Sequence, residues 1–216
     1  MAQFAVIGLG SFGATVALEL TRLRHDVIGI DTIKRNVENI SDQITHAVIA
    51  DATDEHVLDE LNIQNCDAVV VAIGEDIEAS ILCVLNLKNL GVDKILVKAK
   101  TKAHHTILSH LNVSKIIHPE EDMGVRVAQA LNYPMVSRYM ALDDDRYIVK
   151  VPVQAKLNHV NLSGILKQEP NIKLLLLKRD QQILYETDVN FTLQAGDVLI
   201  LEGSLSHLRK LSGCFV

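Results

Sequence analysis

Through residues 1–120 the chain alternates two textures: short runs that are apolar throughout, and segments whose apolar positions return every three or four residues. FAVIG (4–8) is such a run, and the stretch 11–23 after it has Val16, Ala17 and Leu20 on one helical face. The alternation continues with DVIGID (26–31) before a short helical stretch at 34–40, and HAVIAD (46–51) before a helix opened by Thr53-Asp54-Glu55. DAVVVAIG (67–74) precedes a helix over 75–90 closed by Gly91, and KILVKAK (94–100) precedes a helix over 104–111. SKIIHP (114–119) is the sixth run, stopped by Pro119. Strands without alternation are what a parallel sheet buried on both faces requires. Strict strand–helix alternation predicts βαβ crossovers, hence an α/β, Rossmann-like doubly wound sheet.

The pattern changes after Pro119. EEDMGVRVAQALNYP (120–134) opens with three acids, favourable at a helix N-terminus. Met123, Val127 and Leu131 then form a stripe, expected to be a core or helix–helix contact. Asp143-Asp144-Asp145 marks a solvated turn. Beyond it lie short strands in YIVKVPV (147–153), IKLLLLKRD (172–180), QILYETD (182–188) and LQAGDVLILEG (193–203), with a helix near 162–168. Turns are expected at Arg179-Asp180 and Ala195-Gly196-Asp197. The expected organisation is a nucleotide-binding domain over 1–132, a crossover or linker over 133–145, and a small α+β domain over 146–216.

Composition narrows the class. With 48% hydrophobic and 22% charged residues over 216 positions, this is ordinary globular material. A net charge of −6 without a basic run argues against a nucleic-acid partner. Cys66, Cys83 and Cys214 are odd in number and form no C-x-x-C, so reduced thiols in a cytoplasmic protein are expected. No apolar run approaches the roughly 20 residues that span a bilayer, and no signal-peptide pattern opens the chain. A membrane role would therefore come through a partner.

Candidate chemistry concentrates at the first strand–helix junction, Gly8-Leu9-Gly10-Ser11-Phe12-Gly13. A G-x-G-x-x-G string is weak alone, but here it follows a strand and opens a helix. Asp31 ends the next strand, 18 positions after Gly13 (31 − 13). Gly8 permits the tight turn, Gly10 close approach of phosphates, and Gly13 helix–strand packing. The helix N-terminus offers free N–H groups to phosphate oxygens. Asp31 is placed to accept from an adenosine ribose, and its charge disfavours NADP. Asp51, Ala52 and Thr53 end the third strand, beside the adenine or simply in a turn; Gly74, ending the fourth, borders the phosphates or is likewise a turn residue.

The chain offers little to do chemistry with. His104 and His105 are adjacent, so on a helix they diverge by about 100° and cannot face one target. His104 and His110 do not share a face either, and His118 reads as a strand-end residue. No nucleophile elbow, H-E-x-x-H or P-loop lysine occurs. Two readings stand on the residues alone: a small NAD-dependent oxidoreductase, and a soluble nucleotide sensor with no chemistry of its own.

FAVIGLGSFG, DVIGID, HAVIADATDE, AVVVAIGEDIEASIL, ILVKAK and IIHPEEDMGVRVAQAL together resemble the cytosolic RCK-domain regulatory subunits of Ktr/Trk-type bacterial potassium uptake systems. The resemblance is dense over the N-terminal domain and looser beyond it. It implies an RCK N-lobe, a crossover helix, a small C-lobe, and homodimers assembling into an octameric ring at the inner face of the membrane. The partner it implies is a membrane-embedded K⁺-translocating subunit, gated as ATP, ADP or NAD(H) changes the ring's shape. It assigns the 8–13 loop, Asp31, Asp51, Ala52, Thr53, Gly74 and Lys98 to the nucleotide. Glu120 corresponds to an acid near the terminal phosphate that helps hold a cation, Mg²⁺ or Na⁺. Some relatives bind cyclic di-AMP in the C-lobe, for which Asn161 and 174–177 are the candidates here. Close relatives often carry Arg where this chain has Ser11, so the grip on terminal phosphates expected of them loses one charge-assisted contact.

Overall fold

The computed structural model describes residues 1–132, 138–143, 145–188 and 190–215; of the expected linker, 133–137 and Asp144 lie outside the described residues, as does the Cys214 side chain. The chain divides into two compact units, Met1–Asp122 and Met123–Val216.

In the first unit the six apolar runs become strands β1 (Gln3–Ile7), β2 (Asp26–Asp31), β3 (His46–Ile49), β4 (Ala68–Val71), β5 (Ile95–Lys98) and β6 (Lys115–Ile117). They form one parallel sheet in the order β3-β2-β1-β4-β5-β6. Successive residues of one strand feed opposite faces. Ala5 and Ile7 of β1 pack with Val69, Val71 and Leu87, whereas Val6 packs with Val27, Val70 and Ala17. Both faces of the central strands are therefore dry, which is why those strands are apolar at consecutive positions.

The helices are α1 (Ser11–Arg22), α2 (Lys34–Glu38), α3 (Glu55–Glu60), α4 (Ile77–Asn89), α5 (Lys102–His110) and α6 (Pro119–Asn132). Capping sets three of their starts. The side chains of Asp54, Asp76 and Thr101 accept from the backbone N–H groups of His56, Ala79 and His104. Consequently α4 begins two residues later than periodicity suggests, and α5 two residues earlier. The apolar stripe of α6 is not core within this chain: Met123, Val127 and Leu131 are 55%, 51% and 78% exposed.

The second unit holds β7 (Arg138–Ala141), β8 (Arg146–Pro152), β9 (Lys173–Arg179), β10 (Gln182–Leu184) and β11 (Val198–Ser204), with helices α7 (Leu162–Leu166) and α8 (Leu205–Phe215). The strands pair antiparallel in the order β10-β9-β11-β8-β7. β9 turns into β10 by a two-residue loop, Arg179 pairing with Gln182 and Asp180 at φ 52°. Leu177, Leu199, Leu201 and Leu208 are wholly buried in its core.

An ion pair is sealed into this unit. Asp197, 2% exposed, accepts from Arg179 Nε at 2.8 Å, Arg179 Nη2 at 2.7 Å and the Gln194 N–H at 2.8 Å. The guanidinium also lies 4.8 Å from the Phe191 ring centroid. Burial acts to raise the Asp197 pKa, but these donors and the Arg179 charge outweigh it, so the net shift is downward. A lowered folded pKa means the contribution is complete above the ordinary carboxylate range and is lost as pH falls through the folded value. Asp197→Ala is expected to cost about 1–3 kcal/mol by removing the charge-assisted hydrogen bonds to Arg179 and the partner of the Gln194 N–H, measured by urea denaturation at neutral pH. The wild type should show that loss only on acidification below the ordinary carboxylate range.

Candidate functional site

The order β3-β2-β1-β4 makes the chain leave β1 toward one side of the sheet and return to the other, opening a crevice at the carboxyl ends of β1 and β4. A cleft of about 620 Å³ lies there. Of the residues expected from sequence, Gly8, Gly10, Asp31, Asp51, Ala52, Thr53 and Gly74 line it. Ser11, Phe12 and Gly13 form the adjoining first turn of α1.

The three loop glycines have different physical reasons. Gly8 has φ +91°, and a Cβ there would meet the Ala72 backbone at 2.9 Å. At Gly13 a Cβ would lie 1.8 Å from the Gly8 carbonyl oxygen, so α1 sits against the turn as only glycine allows. Gly10 is the opposite case, because a Cβ there would meet nothing within 4 Å. Its role is the open space in front of the helix, not packing.

That space faces the uncapped N-terminus of α1. Gly10 is the N-cap and offers no side-chain acceptor, and the first turn carries no acid. The N–H groups at the start of α1 are thus left for an external acceptor, with the helix dipole behind them. α4 also starts at the cleft, but Asp76 caps it and Glu78 stands in its first turn. Of the two helix starts at the cleft, that of α1 is the one suited to an anion.

Asp31 is already engaged in holding the site together. Its Oδ2 accepts from the Leu9 N–H at 2.6 Å and from Asn36 Nδ2 at 3.0 Å, and its Oδ1 from the Ile33 N–H at 2.7 Å. Asp51 likewise accepts from the Thr53 N–H at 2.9 Å and its hydroxyl at 2.8 Å, which hold its carboxyl below the usual range.

Lys98 and Glu120 are brought together next to the cleft. Lys98 Nζ lies 2.5 Å from Glu120 Oε1 and 3.0 Å from where a Gly74 Cβ would stand. The lysine's hydrogen bond is the main cause that lowers the Glu120 pKa. Lys98 is thus a mostly buried, paired lysine. A parallel pair, Lys100 Nζ to Glu75 Oε2 at 2.7 Å, closes the adjoining edge and lowers the Glu75 pKa.

Sequence reasoning missed several lining residues, among them Asn36, Glu75, Asp76 and Glu78. Asp76 had a legible signal as a helix cap before an apolar run; Asn36 had none. It also missed that His105 Nδ1 and His118 Nε2 meet at 2.8 Å while His104 is buried. Burial and the neighbouring His118 lower the His104 pKa. No group of three or more His, Cys, Asp or Glu among the described residues is arranged to hold a metal ion. Burial pushes the Cys83 thiol up to about 12, leaving it inert as a nucleophile.

Comparison with known proteins places this geometry in a family. The TrkA-N domain model matches residues 4–119. Two Bacillus subtilis proteins, Ktr system potassium uptake proteins A and C, are 36% and 34% identical over 209 residues, 96% of this chain and 94% and 95% of theirs. The Vibrio alginolyticus Ktr system potassium uptake protein A is 34% identical over the same share of this chain and 95% of its own. The chain belongs to the TrkA-N family, and within it to the Ktr system potassium uptake proteins of the A and C type. Among solved structures, the GsuK RCK domain overlays 99% of this chain and 47% of its own, with TM-score 0.64 at 15% identity. The NAD(P)-binding domain of an Archaeoglobus fulgidus exopolyphosphatase-related protein overlays 61% of this chain and 98% of its own, with TM-score 0.54 at 21% identity. These two likenesses establish a shared fold.

The glycine geometry separates two substitutions that look alike. Gly13→Ala is expected to destabilise the first unit by about 3 kcal/mol or more, since backbone must move. Gly10→Ala should cost about 1 kcal/mol or less, the difference between glycine and alanine at an N-cap. Thermal denaturation of the two variants beside the wild type checks the contrast.

Proposed function

We propose that this chain is the nucleotide-sensing regulatory subunit of a K⁺ uptake system. The observation that carries the reading is the uncapped, acid-free N-terminus of α1, open to a cleft whose other wall presents Asp31. Adenine nucleotides, ATP, ADP or NAD(H), supply the matching chemistry: phosphates for the helix N–H groups, a ribose for Asp31, and a base for the apolar side near Ala52 and Leu82. The solved GsuK channel bound to NAD has the same fold over the length of this chain, which supports the choice of ligand class.

The surroundings of the cleft support reading it as a sensor. The charged residues of its lining are all acidic, Asp31, Asp51, Glu75, Asp76 and Glu78, and the lysines beside it, Lys98 and Lys100, are paired. Phosphates reaching past Gly74 compete with Glu120 for Lys98. The freed Glu120, in the first turn of α6, then takes a cation, Mg²⁺ or Na⁺. Ligand binding thereby biases the start of α6 between two arrangements, which is the element a gating ring needs. The exposed stripe of Met123, Val127 and Leu131 is the surface through which dimers, and an octameric ring built from them, would form. The K⁺-translocating partner is a separate membrane-embedded subunit, consistent with the absence of a helix long and apolar enough to cross a membrane among the described residues. The protein would then act in the cytoplasm, at the membrane's inner face. Cyclic di-AMP in the second unit remains part of this proposal through relatives of the family alone.

Millimolar ADP, ATP or NADH is expected to raise the melting temperature, a ligand at 100 times its Kd contributing about 2.7 kcal/mol. No shift with any of the three ends the sensor reading. Cofactor turnover with a metabolite would favour an oxidoreductase, and co-purification without a membrane K⁺ subunit a sensor with another partner. Ser11→Arg is expected to tighten ATP more than ADP by on the order of tenfold, one charge-assisted contact, read by calorimetric titration.

A further inference from the structure

Asp31 cannot read a ribose alone. An ionised carboxylate has about four acceptor positions. Both positions on Oδ2 are filled, by the Leu9 N–H and by Asn36 Nδ2, and one on Oδ1 is filled by the Ile33 N–H. A single acceptor position on Oδ1 is left. A nucleoside ribose presents two neighbouring hydroxyls, at 2′ and 3′, so one of them needs another acceptor.

Asn36 supplies it. It stands in α2 and lines the same cleft as Asp31. Its amide orientation is fixed by chemistry, since a carboxylate oxygen only accepts and Nδ2 must therefore be the atom that faces Asp31. Its Oδ1 makes no hydrogen bond among the described residues, although the side chain is half-buried. On a residue that lines the cleft, such an acceptor is suited to one hydroxyl.

We propose that Asp31 and Asn36 form a composite reader of the vicinal 2′,3′-diol, each accepting from one hydroxyl, with Asn36 a specificity-determining residue. This rests on the reading of the cleft as a nucleotide site. Asn36 also explains why one carboxylate can do two tasks: by occupying Oδ2 it leaves Asp31 holding the Leu9 loop while Oδ1 turns to the ligand.

The test is calorimetric titration of the full chain with ADP, 2′-deoxy-ADP and 3′-deoxy-ADP, on wild type, Asn36→Ala and the volume-matched Asn36→Leu, with melting temperatures recorded for each. Wild type should bind both deoxy analogues more weakly than ADP. Both variants should lose about fivefold for ADP, the value of one hydrogen bond, yet bind one deoxy analogue as tightly as wild type does. That analogue is the one lacking the hydroxyl held by Asn36. Equal ADP affinity in wild type and variants overturns the proposal, as does a loss of equal size for ADP and both analogues, which marks Asn36 as merely structural. Failure of wild type to bind ADP at all overturns the nucleotide reading itself, and the proposal with it.

Discussion

The contact on which the rest depends is the approach of α1 to the turn that ends β1. Gly13 stands so close to the Gly8 carbonyl that a single added carbon would overlap it at 1.8 Å. Gly8 in turn is pressed against the Ala72 backbone at the end of β4. These two absences of a side chain pin the helix's N-terminus over the crevice between β1 and β4. A helix end held anywhere else would expose the same N–H groups to water and no pocket. Here they meet a concave wall, and backbone groups that are unsatisfied in themselves become the reason for a site.

Charge then decides which part of the wall is used. The cleft carries five carboxylates in its lining and draws no free lysine into it. For a polyanion this is an unwelcoming surface except at one place, the acid-free first turn of α1. Such a site favours a ligand whose negative charge is compact and whose remainder is neutral. It also makes the neutral Ser11 consequential, since no guanidinium compensates phosphates further out. The Lys98–Glu120 pair beside Gly74 gives any anion that extends there something to displace.

Much of this is legible in the sequence. The six strands follow from uninterrupted apolar runs, because a strand covered on both faces has no reason to alternate. The α1 site follows from glycines whose spacing is meaningful only between a strand and a helix. What the sequence leaves unread depends on how the elements pack. Asn36 carries no local pattern, and its hydrogen bond to Asp31 arises only because α2 folds back onto the end of β2. Lys98 and Glu120 lie 22 positions apart (120 − 98) in the chain, and their pairing comes from β5 and β6 being neighbours. The α6 stripe had the right period for a buried face, but period reports that a helix has an apolar side, not what lies against it.

The central claim is that the N-terminus of α1 receives phosphate while Asp31 receives ribose. The most direct measurement is a crystal structure of the protein grown with ADP. The account predicts the diphosphate against the backbone N–H groups at the start of α1, the ribose hydroxyls within hydrogen-bond distance of Asp31, and the base toward Ala52. A nucleotide bound elsewhere, or with its phosphates turned toward Asp76 and Glu78 and away from α1, would contradict it.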